Sequence, residues 1–213
     1  TKGGVVSGVT DQSLIGEYKA LKLSDNTDTY DVKGKLVLNN TGKVITYDTT
    51  GASATKDNLA KVTLAAAGDL TVTGDGAVLG EVTSGAADSK LTVASANATI
   101  EGNVNTSGSV TSQAGSNVTI NGDVKITDTF QVDGTVTMGT ATVNGQQLPA
   151  QATIGTLNVG DTGVFNNADL TSLNQAGTVY GTANLGKLSA TSGLTVKGQA
   201  VVGELKEGSV TVV

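Results

Sequence analysis

From Asn117 to Gly145 the chain reads NVTINGDVKITDTFQVDGTVTMGTATVNG, and its apolar residues keep to even positions across two glycine-bearing turns. Val118, Ile120, Val124, Ile126, Phe130, Val132, Val136 and Met138 are all even. Thr119, Asp123, Lys125, Thr127, Thr129, Gln131, Thr135 and Thr137 occupy the odd positions between them. Successive residues of a strand face opposite ways, so this alternation marks half-buried β-structure. A tight Asn-Gly hairpin would break it. Residues flanking a two-residue loop share a face, which would set Ile120 beside Asp123 and turn Val124 and Ile126 outward. Two geometries preserve the parity. One is a three-residue loop with a left-handed glycine, opposing Thr119 to Asp123 and Val118 to Val124. The other is a solenoid corner, where the chain turns without pairing to itself. Gly122, Gly134 and Gly145 suit both, because each tolerates positive φ. Beyond Met138 the parity slips to Ala141 and Val143, marking a bulge or corner at Gly139–Thr140.

Composition narrows the fold class. The chain has 213 residues, 38% apolar and only 3% aromatic, with 29 glycines and a single proline, Pro149. Few aromatics leave a wide globular core hard to fill, whereas a thin β core suits small branched residues. The expectation is an all-β chain. Its repetitive part reads as a β-solenoid resembling a parallel β-helix, with a smaller β-rich N-terminal region. The alternative is one or two antiparallel β-sandwich domains of jelly-roll or immunoglobulin-like type.

Three segments are expected: an N-terminal strand or arm over 1–12, a β-rich region over 13–67 and a repetitive β region over 68–213. The first sixty or so residues hold Tyr18, Tyr30 and Tyr47 and most of the lysines. Within them SLIGEYKALKL (Ser13–Leu23) reads as helix or strand. Asp31–Asp48 reads as two strands hairpinned around Asn39–Gly42. The Ala-rich stretch ending in KVTL is ambiguous between helix and strand. From Gly68 onward, GDLTVTG, SKLTVAS, IGTLNVG and GLTVKG vary one theme, with strand starts roughly every ten to twelve residues, a spacing that fits a sandwich or coils of about twenty residues. Near the C-terminus glycines recur five apart, at 193, 198, 203 and 208. ADLTS (Ala168–Ser172) and ANLGK (Ala183–Lys187) look like pentapeptide-repeat units.

The stretch Asn97–Val143, with its short GDV, VDG and GTV units, resembles bactofilins and related bacterial β-helical polymers. The Thr/Val/Asn/Gly texture of the whole chain is similar to that of secreted bacterial or archaeal surface fibres and surface-layer subunits. The resemblance implies a structural, extracellular role.

The chemistry available is narrow. With no His and no Cys, the usual general base, thiol nucleophile and commonest metal ligands are missing, so no enzyme activity is expected and no catalytic or cofactor-binding residue is assigned. SDNTDTYD places Asp25, Asp28 and Asp31 close together as oxygen ligands for Ca²⁺, although a solvated acidic turn is the plainer reading. The net charge is −6 and no Arg is present, which argues against nucleic acid as a partner. No apolar run approaches the length of a membrane helix, so no membrane span is expected.

The ends carry the remaining signal. GGVVSGVT (Gly3–Thr10) and GSVTVV (Gly208–Val213) are uncharged and β-prone. Each either completes its own sheet or leaves an open edge that invites association. Val5, Val6, Val9, Val210, Val212 and Val213 are therefore the candidate subunit interface, through strand addition between copies. The expected function is a structural subunit of a self-assembling extracellular filament or surface layer. Its partners would be copies of itself, with cell-wall or surface polysaccharide as a further class. The alternative is an adhesin stalk or phage-fibre-like binding module without enzymatic activity.

Overall fold

The computed structural model describes residues 22–23, 29–32, 35–39, 46–47, 61–64, 66–73 and 77–213. All regular structure among them is β, wound into a solenoid of about 7 turns. Each coil has three short sides, here called A, B and C in chain order. Val82–Ser84, Lys90–Val93 and Ala98–Ile100 form one coil. Val104–Thr106, Ser109–Ser112 and Asn117–Ile120 form the next, directly on top. Every pairing between coils is parallel. On side A it aligns Val82, Val104, Val124, Ala152, Leu170, Leu188 and Leu205 in one column. On side B the corresponding column runs Leu36, Leu70, Leu91, Val110, Phe130, Leu157, Gly177, Leu194 and Val210.

The solenoid explains the unbroken parity around Asn117–Met138. Val118–Ile120 lies on side C, Val124–Ile126 on side A, Phe130–Val132 on side B and Val136–Met138 again on side C. All eight even apolar residues are buried in the lumen. A corner turns the strand direction while keeping the same side of the chain inward, so no face is exchanged. The antiparallel sandwich is thereby set aside. The lumen is narrow enough that two phenylalanines suffice as its largest fillers: Phe130 and Phe165 meet edge to face at 5.7 Å.

Corners, more than strands, decide where glycine is needed. A Cβ on Gly122 would lie 2.3 Å from the Gly102 carbonyl oxygen, and one on Gly181 2.2 Å from that of Gly163. Neither residue has positive φ. Close stacking of one corner on the next excludes a side chain there, whatever the backbone handedness. Of the three glycines singled out in the sequence, only Gly145 takes a positive φ, 77°. Polar side chains at corners serve the same stacking. Asn103 Oδ1 accepts from Asp123 N (2.9 Å), Asp123 Oδ1 from Gln151 N (3.0 Å) and Asp169 Oδ1 from Lys187 N (3.0 Å).

The parity slip after Met138 is an excursion. Thr140–Val143 and Gln146–Pro149 form an antiparallel hairpin standing out from the coil, closed by Asn144 and Gly145, both at positive φ. The coil carrying it spans 28 residues from Val124 to Ala152, against 18 from Leu170 to Leu188 and 17 from Leu188 to Leu205.

Three other sequence expectations change. The hairpin over Asp31–Asp48 gives way to parallel pairings: Lys35–Asn39 with Asp69–Thr73, and Thr46–Tyr47 with Lys22–Leu23. KVTL (Lys61–Leu64) is strand, pairing in parallel with Thr29–Val32. ADLTS and ANLGK are not equivalent units, since Leu170 aligns with Leu188 while Leu185 aligns with Ala168. The pentad of glycines has a simpler origin. Gly198, Gly203 and Gly208 punctuate the three sides of one short coil, and Gly193 ends side A of the coil before. Of Ser13–Leu23, only Lys22–Leu23 is described, as strand.

Candidate functional site

Two places depart from the regular stack. The first is the last coil, Gln199–Val212. It pairs along one edge with Thr182–Val196, and among the described residues no strand pairs with its other edge. Its inward row, Ala200, Val202, Leu205, Val210 and Val212, continues the lumen columns but has no coil above it. The result is an apolar recess of about 620 Å³ floored by Val196. Leu205 is 48% exposed and Val212 77%, whereas their partners one coil down, Leu188 and Val196, are 0% and 3% exposed. Charge is confined to the rim, where Glu204 pairs with Lys206. The hydrogen bond from Lys206 holds the Glu204 carboxyl below the usual range for glutamate.

The second place is a corner between sides B and C. Gln131, Asp133, Asn158, Gly160, Asp161, Thr178 and Tyr180 line an open cavity of about 520 Å³ spanning three coils. Gln131 Nε2 donates to Asp133 Oδ1 at 2.6 Å and Thr162 Oγ1 to the Asp133 carbonyl at 3.0 Å. The Lys197 ammonium sits 4.9 Å from the Tyr180 ring centroid, with Nζ donating to Tyr180 Oη at 3.3 Å. Among the described residues, Asn158, Asp161 and Thr178 make no side-chain hydrogen bond to the protein.

The residues singled out from sequence fall unevenly on these places. Val210 and Val212 belong to the inward row of the open coil, and Val213 follows it, 78% exposed. Val5, Val6 and Val9 lie outside the described residues, as do Asp25 and Asp28. Asp31 is in the strand Thr29–Val32. Sequence reasoning missed the Tyr180 cavity, whose residues come from 131–133, 158–161 and 178–180 and share no local motif. The one available signal was the threonine pattern. From Thr71 onward the outward column of side B runs Thr71, Thr92, Thr111, Gln131, Asn158, Thr178, Thr195 and Thr211, and over that stretch only the two amides break the rule.

No group of three or more His, Cys, Asp or Glu side chains that could hold a metal occurs among the described residues. No described helix is long and apolar enough to cross a membrane. No protein-family model, curated protein or solved structure matches the chain. What is established is the architecture. The chain is a β-solenoid.

Proposed function

We propose that this chain is a structural subunit that polymerises end to end into an extracellular filament or surface layer, performing no catalysis. The observation that carries the reading is the last coil, a parallel strand edge over an exposed apolar lumen. Such an edge is a template for one more coil. Among the described residues, the first strands of sides A and B are Thr29–Val32 and Lys35–Asn39, and no other described strand pairs with their outer edges. A second copy added there, in the register of the existing columns, sets its Leu36 and Leu38 over Val210 and Val212 and its Tyr30 over Leu205. All coil pairings are parallel, so a head-to-tail addition keeps the strand direction. A head-to-tail contact of this kind does not close on itself and generates a filament. The resemblance of Asn97–Val143 to bactofilins, which also polymerise from β-helical units, supports the same reading.

Electron microscopy and light scattering of the purified chain test it, comparing wild type with Val212→Lys. The side chain at 212 is mostly exposed, so the lysine leaves the single molecule folded while placing a charge on the apolar contact. Wild type is expected to give unbranched rods that lengthen with concentration, and the variant single particles. Wild-type protein that stays single at every concentration, or a variant that polymerises equally well, defeats the proposal. A second reading, a non-catalytic binding stalk, is favoured by the Tyr180 cavity and expects discrete particles from wild type.

A further inference from the structure

The cavity beside Tyr180 has a construction that the coil does not require. Side-chain identity on the outside of a solenoid is free of packing demands, and on side B, from Thr71 onward, the chain answers that freedom with threonine in every coil but two. Gln131 and Asn158 replace it in successive coils, and both line the cavity. Gly160 makes room. Its φ is not positive, and a Cβ on it would lie 2.2 Å from Asp133 Oδ1, so the Asp133 carboxylate in its present position occupies the space that a side chain at 160 would take. Gln131 fixes that carboxylate, and Lys197 fixes the Tyr180 ring through its ammonium. Pre-set side chains lose little freedom on binding, which is how a small open site gains affinity.

The geometry points to a binding site for a neutral glycan, with Tyr180 as the stacking platform and Asn158, Asp161 and Thr178 as the hydrogen-bonding groups. A planar amide both donates to and accepts from neighbouring hydroxyls, a carboxylate accepts from them, and a half-exposed phenol ring offers an apolar face beside them. These unused donors and acceptors converge from two successive coils on one cavity, as in small-molecule sites. Asp133 and Asp161 make its charge negative, which disfavours uronate, sulfate or phosphate groups. The open cavity of roughly 520 Å³ falls in the size range of small-molecule pockets, enough for one or two sugar rings by that comparison, with the chain of a polysaccharide running on into solvent. This site does not depend on polymerisation, and none of its lining residues lines the recess at the open coil end.

Affinity electrophoresis on the Val212→Lys background, where each molecule migrates singly, provides the test. Native gels are cast with amylopectin, hydroxyethylcellulose, galactomannan or polygalacturonate, each with and without CaCl₂. At least one neutral polysaccharide is expected to slow migration several-fold, and Tyr180→Ala and Asn158→Ala are each expected to restore the rate seen without polysaccharide. Both positions are on the solvent side of the coil, and an unchanged circular dichroism spectrum confirms that the variants fold. Equal migration in every gel overturns the proposal. So does retardation only by polygalacturonate, retardation that survives Tyr180→Ala, or a response to CaCl₂ alone, which would make the cavity a cation site.

Discussion

At the residue scale the coil sorts its glycines by what surrounds them. Gly122 is pressed against the Gly102 carbonyl, whereas a Cβ on Gly85 would meet nothing within 4 Å. Neither takes a positive φ. The same substitution should therefore have opposite signs at the two positions. Gly122→Ala pushes backbone against backbone, which cannot yield as a side chain does, and is expected to cost about 1–3 kcal/mol. Gly85→Ala removes freedom from the unfolded chain without a clash and is expected to be neutral or stabilising by up to about 1 kcal/mol. Urea denaturation of the two variants checks the pair. Equal effects would mean that corner stacking does not govern glycine use. The sequence marked Gly122 as a turn residue but could not show why it must be glycine, because the clash lies with a residue twenty positions away. The buried hydroxyls of Ser84, Ser89 and Ser112 were hidden too, the first because its partner is twenty positions away and the others because a corner folds a near neighbour back onto them. They occupy or adjoin lumen-facing positions and look like breaks in the apolar pattern. Their partners are the Leu64 carbonyl, the Ala86 carbonyl and Ser116.

At the element scale the two Asn-Gly pairs teach the most. Asn121-Gly122 and Asn144-Gly145 are identical locally, yet the first is a corner and the second the tip of a hairpin. The flanks decide. Around 121–122 the alternating apolar residues favour burying both strands in the lumen, and burial outweighs the local turn preference. Around 144–145 the chain offers Gln146 and Gln147 where lumen residues would be needed, so the segment leaves the coil and pairs with itself. The alternation was thus legible in the sequence and the excursion was not, because a short uncharged hairpin carries little of the burial signal that marks a strand. The excursion also begins and ends at one place, since Ala150 N donates to the Gly139 carbonyl at 2.9 Å. Cutting out Thr140–Pro149 should then leave a coil of 18 residues, matching its neighbour from Leu170 to Leu188. The expected loss is within about 1 kcal/mol, a shift of roughly 2–4 °C in Tm for a chain of this size. Differential scanning calorimetry reads it directly. A fall of 10 °C or more would show that the hairpin braces the corner it rises from.

At the scale of the whole molecule, a solenoid has only nearest-neighbour interfaces, so its stability is close to a sum over coils and their contacts. An interior coil is held from both sides and a terminal coil from one. Leu157 and Leu205 face the same lumen, but the first is fully buried between two coils and the second lies half open on the last. An aspartate at 157 places a carboxylate in the lumen with no partner. It is expected to cost several kcal/mol and to split or abolish the single unfolding transition. At 205 the new carboxylate reaches water, so the expected cost to the single molecule is about 1 kcal/mol or less. The end-to-end reading adds a second expectation for the same substitution. A neighbouring copy would bury residue 205 as deeply as Leu188 is buried now, and the penalty avoided in the free molecule would fall on the assembly. Leu205→Asp should accordingly melt like wild type when dilute while showing no growth by light scattering when concentrated. If it unfolds as readily as Leu157→Asp, the last coil is no loose edge but an integral layer. If it grows into rods as wild type does, the contact between copies lies elsewhere on the molecule, and the exposed lumen is not its seat.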